Sequence, residues 1–268
     1  MTILEMFDKR PRKAIYYVLY ALLLMVLVSW SASSITSAKI TDVGLKVASG
    51  IVYGLTHPDL SLLFSTAADG VPMLLLETLA IAILGTLIGA ILAIPIAFLS
   101  CENIVGRKLS FVTRSFVLLI RTIPSLVWAL MWIRVTGPGA ICGIMTQSIV
   151  SIGMLSKLFA TSIEDLNTGI LESLNAAGCN TFEKIRVGIL PQLTAGFVST
   201  VIYRFDINIK DASTLGIVGA GGIGAPLIQA INSRRYSMVG AFLFGMIFLV
   251  MVIEYFSTRI RKKLATGE

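Results

Sequence analysis

Charged side chains set inside apolar runs mark the positions in this sequence where chemistry is possible. Arg121 stands in "LIRTIPSLVWAL" (119–130), just before Pro124, and Arg204, Asp206, Lys210 and Asp211 cluster in "YRFDINIKDA" (203–212). An unpaired charge at the centre of a bilayer costs at least about 2.5–3.5 kcal/mol, so such groups turn toward a partner or a polar cavity. Asp206 and Lys210 are four residues apart and share a helix face, which leaves two readings open: a structural ion pair, or a place along a solute path. Arg121 and Arg204 have no obvious partner on their own segments. Each either faces such a path or braces neighbouring helices.

Other chemistries fail on spacing. His57 is the only histidine, and it lies beside Pro58 with no second ligand or nucleophile near it in sequence. Cys101, Cys142 and Cys179 are far apart and form no CxxC, so neither a metal site nor a disulfide framework is indicated. "GAGGIG" (219–224) satisfies GxGxxG, but no soluble βαβ unit surrounds it, and the next acid is Glu254 rather than one about 20 residues on. Gly219, Gly221, Gly222 and Gly224, with Gly216, are expected instead to let the chain bend and pack closely. No GxxxxGK[ST] phosphate loop occurs, so ATP is not expected to be bound or hydrolysed by this chain itself. A membrane-embedded enzyme is the remote alternative. It would need a His, Cys or acid constellation that is not visible.

The elements that carry these residues are apolar. The chain has 268 residues, 56% hydrophobic and 14% charged, with a mean hydropathy of +0.86. That is too little polar surface to cover a water-soluble globule of this size. Runs of about 20 mostly apolar residues, enough to cross roughly 30 Å of hydrocarbon as helices, predict spans near 15–31, 72–99, 111–135, 140–160, 192–212 and 237–256. The first follows "KRPRK" (9–13) and precedes the small residues of "SASSITSA" (31–38), but it exceeds the roughly 7–15-residue apolar core of a signal peptide and reads as an uncleaved span. Residues 35–70 read as an external loop with a short amphipathic helix lying on the membrane. "GTLIG" (85–89) in the second span has the small-xxx-small spacing that lets another backbone approach.

A net charge of +7 could suggest a nucleic-acid partner, but the basic residues flank the spans, so none is expected. With the N-terminus in the cytoplasm, Lys9, Arg10, Arg12, Lys13, Arg107, Lys108, Arg114, Lys184, Arg186, Arg259, Arg261, Lys262 and Lys263 fall inside, as the positive-inside rule requires. Lys39, Lys46, Arg134, Arg234 and Arg235 fall outside or near the outer face.

This arrangement places a polar island, "ESLNAAGCNTFEKIRVGILP" (172–191), on the cytoplasmic side. Its composition predicts two short helices with a turn at Gly178-Cys179-Asn180, and Pro191 opening the next span. Phe182, Ile185, Val187 and Ile189 are expected on a membrane-facing or partner-facing side, with Glu172, Glu183, Lys184 and Arg186 exposed. From these residues alone, a solvated loop and a docking element both remain open.

Glu172, Gly178 six residues later, and Leu190-Pro191 resemble the EAA signature of permease subunits of ABC importers, in which a cytoplasmic coupling helix docks in a groove of the ATPase. Ser173 and Leu174 stand where two alanines are usual, and Gly188 where an isoleucine is usual. Ala176 and Ala177 still supply small residues for a close joint. With "GMLSKLFATSIEDL" (153–166), "VGILPQL" (187–193), "YRFDINIKDASTLGIVGAGGIG" (203–224) and a final basic helix, the chain resembles the permease of phosphonate or phosphite ABC importers over about residues 72–263.

The resemblance implies an all-α integral membrane protein, a type I ABC importer permease with about six transmembrane helices and both termini cytoplasmic. Residues 1–70 would form the first helix and an external loop, and 71–268 the permease domain with its coupling segment at 166–190. Implied partners are a second copy in a homodimer, two ATPase subunits carrying ATP and Mg, an external phosphonate-binding protein and the bacterial inner membrane; no cofactor is implied on this chain. Glu172, Ala176, Ala177, Gly178, Glu183, Leu190 and Pro191 would meet the ATPase. Arg121, Arg204, Asp206 and Lys210 are the candidates for the path, because an arginine's fork of N–H donors complements an oxyanion. Glu77 would repel an anion and is expected to be a structural partner. Gly219, Gly221, Gly222 and Gly224 would pack at the pore. Methionine, taurine or another small solute is the alternative cargo.

Overall fold

The computed structural model describes residues 13–34, 41–166 and 168–266. The chain divides into two units, Met1–Ala48 and Ser49–Glu268. In the first, α1 (Lys13–Ser34) has no polar face, and Leu22, Leu23, Met25 and Trp30 are each more than half exposed. A helix that is apolar all round and buries nothing within its own chain is suited to face lipid. The first expected span lies here.

Next, α2 (Asp42–Thr56) leads into the second unit, which continues as α3 (Leu60–Leu63), α4 (Val71–Ser100), α5 (Glu102–Val105), α6 (Arg107–Thr122), α7 (Ser125–Thr136) and α8 (Ala140–Glu164). It closes with α9 (Thr168–Ala176), α10 (Thr181–Glu183), a π-helical turn at Lys184–Ile189, α11 (Leu190–Gly216), α12 (Gly224–Asn232) and α13 (Tyr236–Thr266). No strand occurs among the described residues. Five helices, Ile15–Ser34, Val71–Ser100, Ala140–Glu164, Thr181–Gly216 and Tyr236–Ala265, are long and apolar enough to cross a membrane.

The third expected span is not straight. It breaks into α6 and α7, bent by 87°. Pro124, with ψ at 146°, cannot continue a helix, because its ring removes an N–H and disfavours helical backbone at Ile123. The indole of Trp128 reaches back across the break to the Ile120 carbonyl (3.4 Å). Counted as one broken span, this pair makes the sixth crossing.

The centre of the second unit is α4 against α8, its most extensive helix pair. "GTLIG" makes their approach possible: a Cβ on Gly85 would lie 2.6 Å from the Gln147 Cβ, and one on Gly89 would overlap the Ser151 Cβ. Ala90, Ala93 and Ala97 continue this seam toward Leu155, Phe159 and Ile163. Phe159 stacks on Phe197 of α11 at 4.2 Å, which closes a three-helix core. At the other end, Val71 and Leu74 are covered by Ile223, Ala230, Val239 and Phe242. A second close-packed glycine pair, Gly50 and Gly54 in "GIVYG", lies against the start of α13: a Cβ on Gly54 would overlap the Tyr236 carbonyl oxygen.

Candidate functional site

The ionisable residues of α11 do not pair with one another as their spacing allows. Asp206 is bonded to Arg261 of α13 (3.2 Å), and Lys210 to Glu254 of α13 (3.4 Å). The i, i+4 ion pair between Asp206 and Lys210 is therefore replaced by two cross-helix pairs, because α13 lies alongside α11 and presents charges of the right sign to each. The Asp206–Arg261 pair is incomplete. Asp206 Oδ1 and Arg261 Nε are buried without a partner among the described residues.

Arg204 is 4% exposed. Its Nε donates to Ser151 Oγ (3.0 Å) and its Nη1 approaches the Met154 sulfur (3.4 Å); Asp211, two turns along its own helix, lies at 4.0 Å. The sequence had offered no partner there, because i, i+7 pairs are reached only by a long side chain. The same Ser151 hydroxyl accepts from Asn208 Nδ2 (2.9 Å), which also donates to Thr86 Oγ1 of α4 (2.7 Å). Gln147 Nε2 donates to the Asn208 carbonyl (2.8 Å). Thr86, Gln147, Ser151, Arg204 and Asn208 thus form one buried polar lattice joining α4, α8 and α11. In this conformation Arg204 braces the helices. Sequence reasoning, which weighed only full charges, missed Asn208, Gln147, Ser151 and Thr86; their signal is polar residues at i, i+4 within apolar spans, 147 with 151 and 204 with 208.

Arg121 is exposed and lies elsewhere. Its Cγ sits beside Gly153 of α8, where an added Cβ would come within 2.9 Å of it. Arg121 and Arg204 therefore touch α8 within one turn of each other, at residues 151–154, but on separate contacts. Arg121 lines a cavity of about 270 Å³ between α6 and α8 together with Arg114, Lys157, Thr161 and Glu164. Among the described residues Glu77 forms no ion pair; it is half-buried and stands close to Gly221, whose added Cβ would lie 3.0 Å from Glu77 Oε1.

The glycines at 219–224 build a tight reversal between α11 and α12. Gly219, Gly221 and Gly222 have φ of +89°, +83° and +72°, a region that side chains disfavour. Gly219 accepts from the Gly139 N–H (2.8 Å), and the Ile223 N–H bonds Thr78 Oγ1 (3.0 Å), tying the turn to the first turns of α8 and α4. A Cβ on Gly224 would overlap the Ser213 carbonyl, so the two arms touch backbone to backbone.

The island folds as two short helices around a glycine turn. Gly178 has φ +78°, the Cys179 N–H bonds the Leu174 carbonyl (3.0 Å), and the Ala177 N–H bonds that of Ser173 (3.0 Å). This is a glycine-terminated helix end, with the Ser173 and Leu174 carbonyls of its last turn satisfied. Asn180 then starts the next helix: its side chain accepts from the Glu183 N–H (2.9 Å), while the Glu183 carboxylate accepts from the Asn180 N–H (2.7 Å). Glu183 therefore caps its own helix. Glu172, Ala176, Ala177, Gly178 and Pro191 are exposed and Leu190 is half-buried.

The expectation that Phe182, Ile185, Val187 and Ile189 share one side is not met. Phe182 and Val187 are 70% and 65% exposed, whereas Ile189 is 1% exposed and Ile185 packs against the core. The π-helical turn is the reason. Pro191 has no N–H for the Val187 carbonyl and its ring crowds that carbonyl, so the coil widens; the Leu190 N–H reaches Ile185 instead, and the side-chain period shifts. Helix therefore runs unbroken from Thr181 to Gly216, and Pro191 stands, as expected, in the first turn of α11, where the π-helical turn gives way to α-helix.

Residues 85–266 match the family described as the inner membrane component of binding-protein-dependent transport systems, and the chain belongs to that family. It is a non-catalytic subunit of a transport system, seated in the inner membrane, and subunits of this kind bind no cofactor themselves. Among its relatives, the phosphate-import permease protein PhnE of Mycolicibacterium smegmatis is 33% identical over 189 residues, 70% of this chain and 36% of that protein. The chain thus spans little more than a third of the mycobacterial protein. The phosphite transport system permease protein PtxC of Stutzerimonas stutzeri is 32% identical over 189 residues, 70% of this chain and 69% of that one. In fold, the chain is similar to a solved chain of the MetNI methionine ABC transporter in an inward facing conformation, with a TM-score of 0.63, 21% identity, and coverage of 71% of this chain and 94% of that one. A chain of a bacterial ABC transporter for alginate import gives 0.61 at 16% identity, over 92% and 97%. The fold is that of an ABC importer permease.

Proposed function

We propose that the chain is the membrane-spanning subunit of an ATP-driven importer for phosphonates or related phosphorus oxyanions such as phosphite and phosphate esters. The observation that carries this reading is the 32% identity to a phosphite permease over 70% of the chain. The chain works as a homodimer with the path on the two-fold axis and both termini in the cytoplasm. Two ATPase subunits, which hold ATP and Mg, dock on residues 166–190, and an external binding protein delivers the solute. Closure of the ATPases moves the coupling helices and switches the spans between inward-facing and outward-facing arrangements.

Glu172, Ala176, Ala177 and Gly178, with the exposed Phe182, form the face offered to the ATPase, while Glu183 supports it by capping. Leu190 and Pro191 set the stiff exit into α11. Arg121 and Arg204 are the path arginines, and weak or transient exposure of one or two such groups suits conduction better than a tight site. Asp206 and Lys210 hold α13 against the path helix. Gly219, Gly221, Gly222 and Gly224 keep the turn at the opposite end close-packed. The test is uptake of radiolabelled methylphosphonate or phosphite by proteoliposomes holding the chain, its ATPase and its binding protein. ATP-dependent uptake that excess methionine leaves unchanged is expected; uptake of methionine instead would overturn the cargo.

A further inference from the structure

The cavity between α6 and α8 contains a charge arrangement that the polar lattice of Arg204 does not share. The two helices run antiparallel: Arg114 reaches Glu164 near one end, and Arg121 lies beside Gly153 toward the other. Arg114 of α6 stands opposite Glu164 of α8, with which it forms an ion pair, and its Nε also donates to the Ser100 carbonyl (2.7 Å). Seven residues further along α6 comes Arg121, and seven residues back along α8 comes Lys157, so each lies two turns on and on the same face as its predecessor. Both line the same cavity of about 270 Å³. The cavity therefore holds the cations Arg114, Arg121 and Lys157 against the single acid Glu164. Thr161 lies four residues from Lys157 on that face and lines the same cavity.

Among the described residues, neither Arg121 nor Lys157 has an ion pair or hydrogen bond, and the one acid in the cavity is already engaged by Arg114. Val117, Leu118 and Ala160 supply apolar walls. Arg121 and Lys157 are exposed at the cavity, and two cations without a counter-ion in one cavity repel each other, which an anion held between them would relieve. A guanidinium fork, an ammonium and a hydroxyl offer N–H and O–H donors to a tetrahedral oxyanion.

The geometry points to an anion seat formed by Arg121, Lys157 and Thr161 that takes a phosphate-type oxyanion, whose source is either a free ion or the headgroup of an anionic phospholipid lodged between α6 and α8. It rests on the transport reading only in so far as a free ion in transit is one of the two sources.

The test uses the full chain in phosphatidylcholine nanodiscs, with no ATPase present, so its failure leaves the uptake result standing. One arm measures equilibrium binding of radiolabelled inorganic phosphate. The other measures retention of phosphatidylglycerol against phosphatidylcholine by native mass spectrometry. The informative variant is Lys157→Glu, which reverses the charge of an exposed side chain in the cavity, so the fold should hold and the melting temperature stay level; Lys157→Gln serves as the neutral control. Both variants are expected to weaken the bound probe by about tenfold or more. Loss confined to phosphate assigns the free ion, loss confined to phosphatidylglycerol assigns the lipid, and loss of both assigns a seat open to either. Binding of both probes by Lys157→Glu as by the native chain, or of neither by the native chain, overturns the seat.

Discussion

At the scale of single residues, the two arginines proposed for the path differ in what their removal should do. Arg204 is buried and bonded into the lattice of Ser151, Asn208 and Thr86, so Arg204→Ala takes away a brace and a charge together. Its loss should lower the melting temperature as well as uptake. Arg121 is exposed and makes no hydrogen bond among the described residues, so Arg121→Ala should lower uptake by about tenfold or more, about 1.4 kcal/mol, while leaving melting and assembly unchanged. Thermal melts beside uptake assays separate the two, and normal uptake by Arg121→Ala would sink its place in the path. The charges themselves were legible in sequence because they stand out in apolar runs. Their partners were not. Arg261 lies 55 residues from Asp206 in the chain, as 261 − 206 gives, and local periodicity carries no information about which helix will lie alongside.

At the scale of elements, the local fold of the island at 172–191 was legible because its signals are local. Gly178 adopts a positive φ that terminates one helix, and Asn180 with Glu183 starts the next. A Cβ on Gly178 meets nothing within 4 Å, so the side chain of Gly178→Asp would project into open space, with a backbone strain of roughly 1–2 kcal/mol. The chain should still insert in the membrane, while the added carboxylate should release the ATPase; co-purification of the ATPase with this variant would count against docking on residues 166–190. The π-helical turn was not legible, because it arises from a conflict between Pro191 and the helix that carries it rather than from any residue preference. Pro124 shows the converse. A proline inside an apolar run reads as a tolerated kink, but here, with Trp128 tied back to Ile120, it bends the pair by 87°. "GTLIG" was read correctly as a close approach, whereas "GIVYG" passed unremarked in a stretch read as an external loop with a short amphipathic helix. Gly89→Leu should force α4 and α8 apart at Ser151 and disturb the lattice. Overpacking of this kind costs about 1–3 kcal/mol, and the check is a fall in melting temperature that Gly44→Ala, at an open position, does not produce.

At the scale of the whole molecule, the second unit is a small-residue core with polar fastenings. α4, α8 and α11 close on alanine, glycine and serine, and α13 is held to α11 by the pairs Asp206–Arg261 and Lys210–Glu254. The glycine reversal sits at one end, against Thr78 and Gly139, and the island at the other, below Phe159 and Phe197. A displacement of the island thus reaches the lattice through one continuous helix, Thr181–Gly216. That continuity is what the coupling account requires, and the measurement that tests it most directly is ATP hydrolysis by the chain reconstituted with its ATPase and binding protein, titrated separately with an alkylphosphonate, phosphite, phosphate and methionine. The account predicts stimulation by the alkylphosphonate or phosphite and none by methionine. Stimulation by methionine alone would contradict the cargo, and hydrolysis indifferent to every solute in a verified assembly would contradict the coupling itself.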